Sequence, residues 1–403
     1  MALDAARREL IEQLAVPNET KLLLLVADGL GGLAHGADTQ TELEAAATPN
    51  LDGLAARGTV GLMTPVAPGI TPGSGPGHLG LFGFDPMEVV VGRGVLEALG
   101  IGFALEPSDV AARCNFCTID DQGRVTDRRA GRITSEDARE LVHKLAEITI
   151  EAVEVHVEHV REHRFVLVLR GEGLEADVAD TDPQREGAAP LAAGALTEAS
   201  KRTAAVVDEF AQKARGALEG QAANMILVRG ISKRPDIRSF RDAYGLRSLA
   251  VATYPMYRGL AQLVGMDVAE VATTEDQLAA VADSWSDYDF FFVHHKPPDS
   301  AGENKDFDGK VEAIQALDGA LPSLLHHVPD VVAVTGDHST PSLMGSHSWH
   351  PVPVVLAADS CRRDGITAFG ESQCRLGGLG LFESKHLMAL MLAHGRRLDK
   401  FGA

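Results

Sequence analysis

Short apolar runs separated by amphipathic stretches mark both ends of the chain. Residues 21–27 read KLLLLVA, 289–293 DFFFV and 330–334 DVVAV. Runs of this length, rich in branched and aromatic side chains, suit strands buried on both faces of a parallel sheet. Helical spacing fills the intervals, as over 274–284 and over 310–325 (KVEAIQALDGALPSLL). Strands alternating with helices predict an α/β fold, a mostly parallel sheet with flanking helices. The middle of the chain has a different texture. Val153, Val155 and Val157 alternate with Glu154, His156 and Glu158, and RFVLVLR follows at 164–170 after a short polar turn. This predicts a hairpin with one wet face, as in an α+β domain. The expected organisation is therefore a core of residues 1–105 and 246–403, interrupted by an inserted α+β domain over 106–245.

Charge sharpens the division. The 403 residues carry 37 basic and 57 acidic side chains, a formal net charge of −20. Residues 113–247 hold 21 of the basic and 23 of the acidic ones, so nearly all the excess lies outside them. An acidic chain of this kind is not expected to bind nucleic acid. The middle region is expected to offer cations to an anionic substrate, and the outer region carboxylates to metal ions. No apolar run approaches the roughly 20 residues of a membrane-spanning helix, and the N-terminus (MALDAARRELIEQL) lacks the pattern of a signal peptide. No membrane partner and a cytoplasmic location are expected. Cys114 and Cys117 form a CxxC with no second pair and read as packing residues.

Three aspartates stand just past the predicted strands: Asp28, Asp299 and Asp337, the last followed by His338. Ligands of open α/β sheets bind outside the carboxyl ends of the strands. Three carboxylates gathered there repel one another unless cations sit between them. With His338 and His347 they form an oxygen and nitrogen set suited to Mn²⁺, Mg²⁺ or Zn²⁺. Ser74 lies in TPGSGPGH at 71–78, before a helical stretch. A helix N-terminus favours an anion such as phosphate, and beside metal ions Ser74 becomes a candidate nucleophile. His78 is placed to orient that loop. His294 and His295 end a core strand, one of them able to support a metal ligand, whereas His156, His159 and His163 are expected on or beside the wet face of the hairpin.

These residues sit in motifs that resemble a known family. Asp28-Gly29, ATPNLD at 47–52 and TGDHSTP at 335–341 are similar to the alkaline phosphatase superfamily of binuclear-metal phosphotransferases. GSGPGHLGLFGFDP, VGRGVLEALGIG, ARCNFCTID, DRRAGRI, TYPMYRGLA and HSWHPVPV resemble, more narrowly, the archaeal-type cofactor-independent phosphoglycerate mutases. The resemblance implies an alkaline-phosphatase-like core with two divalent ions, Mn²⁺ first, then Mg²⁺, Zn²⁺ or Co²⁺. It assigns Asp28, Ser74, Asp337 and His338 to one ion, and Asp299, Glu303 and His347 to the other. Glu303 stands where the family has a histidine.

The resemblance also gives the inserted domain its role. A phosphoglycerate carries a phosphate and a carboxylate, both matched by arginine's planar fork. The expected substrate contacts are Arg93, Asn115, Asp127, Arg128, Arg129, Arg132 and Arg258, with Lys296 as a phosphate contact. Three arginines within DRRAGR repel unless an anion or an acid partner is present, and Asp127 is one candidate partner. The expected activity is interconversion of 2- and 3-phosphoglycerate through a phosphoserine at Ser74, independent of 2,3-bisphosphoglycerate. A metal-dependent phosphomonoesterase or phosphotransferase acting on another small phosphate or phosphonate ester is the alternative.

Overall fold

The computed structural model describes residues 2–34 and 39–402. These divide into two compact units, residues 1–90 with 237–403, and residues 91–236. The second unit starts ahead of residue 106 because the helix Arg93–Gly100 packs on that unit's own strands.

Among the described residues, strands β1 (Leu22–Ala27) and β2 (Thr59–Thr64) precede the second unit. That unit holds β3 (Val110–Ile119), β4 (Val125–Asp127), β5 (Glu154–Arg161), β6 (Arg164–Arg170) and β7 (Met225–Lys233). The first unit resumes with β8 (Ser248–Val251), β9 (Asp267–Val268), β10 (Phe290–His295), β11 (Val331–Thr335), β12 (Val352–Ala358) and β13 (Gly380–Glu383).

The first unit's sheet has the order β13-β2-β12-β11-β1-β10-β8-β9. It is parallel except at β12, which runs antiparallel to both β11 and β2. β1 lies between β10 and β11, and all six of its side chains are fully buried. That is the physical reason for its unbroken LLLLVA: a central strand covered on both faces has no place for a polar residue. Because β1, β10 and β11 run parallel, their carboxyl ends, and Asp28, Asp299 and Asp337 beyond them, lie at one edge.

The second unit is a five-stranded antiparallel sheet in which β3 pairs with β4, β6 and β7, and β6 with β5. Helices Ser135–Ala146 and Lys201–Ala217 contribute Leu141, Val142, Leu145, Val207 and Phe210 to its core. β5 and β6 form the expected hairpin, with Val157 the one buried residue of β5 and β6 almost wholly covered. His163, expected on or beside the wet face, is instead buried in the turn, where its carbonyl accepts the Phe116 N–H at 2.9 Å. Burial holds its imidazole neutral, with the pKa pushed down to about 4. Cys114 and Cys117 are both buried on β3, in two separate apolar clusters, because residues three apart on a strand point to opposite faces. Burial raises both thiols, to about 12 for Cys117, so neither is a nucleophile.

Candidate active site

The turn after β1 holds Asp28 in close contact with the loop after β11. Gly29 adopts φ +66, and a Cβ there would lie 2.6 Å from Thr340 Oγ1 and 2.9 Å from Asp299. Only glycine permits both the left-handed backbone and this approach. Gly77 allows a similar close approach, with ordinary helical backbone, in the helix Ser74–Leu81, whose first residue is the candidate nucleophile: a Cβ would lie 2.3 Å from the carbonyl of Asp337. Small residues thus bring three separate segments into contact.

What converges there is lone pairs. Ser74 Oγ lies 3.1 Å from His338 Nε2. The same nitrogen is 3.4 Å from Asp28 Oδ1 and 3.2 Å from Asp337 Oδ2. The tautomer of His338 follows from its neighbours. Thr340 Oγ1 donates its one proton to Asp299 Oδ1 at 2.7 Å, so at 2.9 Å it accepts from His338 Nδ1–H. Nε2 is then bare. Three acceptors face one another, and neither Asp28 Oδ1 nor Asp337 Oδ2 has a hydrogen-bond partner although both are buried. Burial alone would raise both carboxyls, but both are held below the usual range. His294 and Lys296 do this for Asp28, and His78 for Asp337. Unprotonated acceptors in a buried site need a cation between them, so the residues present fit a divalent metal ion.

A second group adjoins the first. Asp299, His338 and His347 offer atoms close enough to share an ion, as do Asp28, Asp337 and His338. His347 donates Nδ1–H to the Pro72 carbonyl at 2.9 Å. This leaves Nε2 bare, 3.6 Å from Asp299 Oδ1 and 3.8 Å from Glu303 Oε1. The two imidazoles stack with centroids 3.6 Å apart. Glu303 is the most exposed of this group.

Other side chains hold these groups in place. Tyr257 donates its hydroxyl to Asp28 Oδ2. His294 lies 3.2 Å from the same oxygen and stacks on Tyr257 at 3.8 Å. His78 donates Nδ1–H to the Ser74 carbonyl at 2.8 Å and sits 3.2 Å from Asp337 Oδ2. Thr340 and Tyr257 were not singled out from sequence. Thr340 lies within the TGDHSTP motif and Tyr257 within TYPMYRG, so the signal was present but carried no role. Lys296, expected on a phosphate, lies between two carboxylates, 3.0 Å from Asp28 Oδ2 and 2.5 Å from Asp299 Oδ2. Arg258 pairs with the exposed Glu270. A cavity of about 610 Å³ borders the helix Pro297–Glu303, lined by Ser300, Asn304 and His295 and also by His294 and Lys296.

The remaining expected contacts belong to the second unit. Arg128 makes a fork with Asp182 at 3.0 and 2.7 Å. Asp127, considered as an acid partner of DRRAGR, instead accepts the backbone N–H groups of Arg129 and Gly131, both at 2.7 Å. Arg129 and Arg132 are exposed and have no ion pair among the described residues. Ala130, Gly131 and Arg132 all have positive φ (46, 68 and 54), a left-handed turn that costs about 1 kcal/mol or more at each non-glycine residue. Asn115 is buried on β3 with its Oδ1 lacking a hydrogen-bond partner, and Arg93 begins the helix Arg93–Gly100.

A profile described as 2,3-bisphosphoglycerate-independent phosphoglycerate mutase matches residues 55–224. A probable 2,3-bisphosphoglycerate-independent phosphoglycerate mutase of Thermus thermophilus is 49% identical over 400 residues, which are 98% of each chain. One from Thermotoga neapolitana is 47% identical over 401 residues, 98% of this chain and 99% of that one. The chain belongs to this family. Family members are mutases, hence isomerases, and this chain is an enzyme of that class. Among solved structures, a protein of Pyrococcus horikoshii superposes with a TM-score of 0.83 at 30% identity, covering 96% of this chain and 100% of that one. The cofactor-independent phosphoglycerate mutase of Thermoplasma acidophilum gives 0.69 at 31%, covering 93% and 100%. The expected family resemblance and α/β class are therefore borne out. No helix among the described residues of this mutase is long and apolar enough to cross a membrane.

Proposed function

We propose that this mutase interconverts 2- and 3-phosphoglycerate through a phosphoserine at Ser74, without 2,3-bisphosphoglycerate. The observation that carries the reading is the meeting of Ser74 Oγ, His338 Nε2, Asp28 Oδ1 and Asp337 Oδ2 with only the serine's hydroxyl proton to share among them. Two divalent cations, one held by Asp28, Ser74, Asp337 and His338 and the other by Asp299, Glu303 and His347, would acidify the serine hydroxyl and supply positive charge to the transferring phosphoryl group. Mn²⁺ is the first choice for an oxygen-rich, partly imidazole set.

Ser74 begins a helix whose free backbone N–H groups and dipole favour the phosphate it is to receive. Its Oγ forms a bond to phosphorus, and the bond to the glycerate oxygen breaks. That oxygen takes a proton, and the retained glycerate then presents its other hydroxyl, which recovers the phosphoryl group from the serine. His78 fixes the serine's backbone carbonyl, and Lys296 and Tyr257 hold Asp28. The unit of residues 91–236 is assigned to substrate binding. Arg129 and Arg132 are its free forks for the phosphate and carboxylate, with Arg93 and Asn115 as further contacts; Arg258 is likewise assigned to substrate. Retaining glycerate out of reach of water separates a mutase from a phosphatase.

The test is incubation of 3-phosphoglycerate with the enzyme and Mn²⁺, no 2,3-bisphosphoglycerate present, following 2-phosphoglycerate and free phosphate together. The expected result is 2-phosphoglycerate without stoichiometric phosphate, and no product with Ser74→Ala. Free phosphate as the dominant product would replace the mutase with a phosphomonoesterase of the same serine.

A further inference from the structure

Two loops carry the first set of ligand atoms. One follows β1 and runs from Asp28 to Leu33; the other follows β11 and runs from Asp337 to Ser342. They touch through isolated bridges of Leu30 and Gly31 with Ser339. Underneath lies a pair of fully buried opposite charges, Lys310 and Glu42, that the proposed chemistry does not use.

The two charges divide the backbone groups of the loops between them. Lys310, on the helix Phe307–Leu325, donates to the carbonyl of Gly31 at 3.0 Å and to that of Thr340 at 2.9 Å. Glu42, on the helix Glu42–Ala45, accepts the N–H of Leu33 at 3.3 Å through one oxygen. Its other oxygen accepts the N–H and hydroxyl of Ser342, at 2.7 and 2.6 Å. Each charge therefore grips both loops, the ammonium by their carbonyls and the carboxylate by their amides. Glu371 adds a bond to Gly32 N–H at 2.8 Å. Burying two charges is costly unless every lone pair and proton is used, and here they are used on the backbone of the ligand-bearing turns. Hydrophobic residues of similar volume would fill the space but strip the Thr340 carbonyl and the Leu33 and Ser342 N–H groups of these bonds, leaving the Gly31 carbonyl only the Thr340 N–H at 3.0 Å.

We propose that Lys310 and Glu42 are positioning residues, an internal clamp that sets the spacing of Asp28 from Asp337 and His338 and so the affinity for the first divalent ion. The inference rests on the reading of those three residues as ion ligands. The clamp acts two residues or more away from each ligand and touches neither substrate nor ion.

The test is Mn²⁺ binding to the full-length metal-stripped enzyme by calorimetry, with thermal unfolding measured beside it. Lys310→Met is expected to weaken the tighter Mn²⁺ site at least tenfold at unchanged stoichiometry. Raised Mn²⁺ should restore most of kcat, and KM for 3-phosphoglycerate should move less than threefold. Lys310→Arg is expected to recover at least half of the lost binding. Wild-type Mn²⁺ affinity in Lys310→Met, whatever its melting temperature, overturns the clamp and leaves the pair a plain stability element. If Lys310→Met does not accumulate folded, Ser342→Ala takes its place, with a two- to fivefold loss of Mn²⁺ affinity expected and none overturning the proposal. Asp28→Ala is the control on the underlying reading. Undiminished Mn²⁺ binding in that variant would remove the ion site itself, a result distinct from failure of the clamp.

Discussion

The first unit's ligand edge and the second unit's DRRAGR loop are both crowded with charged side chains, but they solve the crowding in opposite ways. At the ligand edge, like partners face each other: two carboxylate oxygens and an imidazole nitrogen meet without a proton among them. In the second unit, opposite partners are matched. Arg128 has Asp182, Arg170 has Asp109 and Glu106, and Arg229 has Asp180 and Asp182. The difference teaches that net charge does not identify a binding group. In the second unit Arg129 and Arg132 have no ion pair among the described residues, while neighbouring arginines are paired. The ligand edge attracts a cation because its lone pairs have nowhere else to go.

The largest effect should come from breaking the unmatched side. Asp337→Asn keeps the shape but removes one charge and places an amide among acceptors. Turnover should fall at least about a hundredfold, as for loss of groups that set metal affinity, with Mn²⁺ binding weakened in parallel by calorimetry. Chelation of the wild-type enzyme should abolish activity, and added Mn²⁺ should restore it. Activity that survives exhaustive chelation would show that the lone pairs at Asp28, Asp337 and His338 are balanced by something other than metal.

The matched side separates two arginines that look alike in sequence. Arg128→Ala leaves the buried Asp182 carboxylate with one charged partner fewer, so it should cost about 2 kcal/mol of stability and lower the melting temperature by several degrees. Arg129→Ala removes an exposed, unpaired group and should change stability by less than about 0.5 kcal/mol. Loss of one charge-assisted contact should lower kcat/KM by about tenfold or more, mostly through KM. The same stability loss in both variants, or an unchanged KM in Arg129→Ala, would erase the distinction between them.

Sequence reading went furthest where one residue type has one physical cause. The LLLLVA of β1 is legible because only a central strand tolerates six buried apolar residues in a row, and Asp28, Asp299 and Asp337 are legible because they follow such strands. Arg128 was not separable from Arg129, because its partner Asp182 lies 54 positions away and only the sheet brings them together. Lys310 and Glu42 were invisible for the same reason. A lysine in KVEAIQALDGALPSLL reads as a solvated helix face, and only the fold shows that it is fully buried beneath two loops. His163 misled because a polar turn residue is normally wet, whereas here the turn folds back under Phe116.

The smallest expected effect concerns acid, and it cuts across the comparison because both units hold buried neutral histidines outside the proposed ligands. Burial pushes His163 in the second unit and His295 in the first down to about 4. In the unfolded chain each takes a proton near pH 6.5. The unfolded state therefore binds more protons than the folded one between about pH 6.5 and 4, and stability falls as pH falls through that window. The paired carboxylates act lower down. Asp182, held low by Arg128, and Asp289, held low by Arg247, stay below the usual carboxylate range in spite of burial, so what they contribute is present above about pH 4 and lost beneath it. Urea unfolding at pH 7, 6 and 5 should then show a steady decline, made shallower by His163→Gln and by His295→Gln separately. A decline of unchanged slope in either variant would mean that its histidine takes up its proton with the chain still folded, and the matched unit and the ligand unit would then differ in acid as they do in charge.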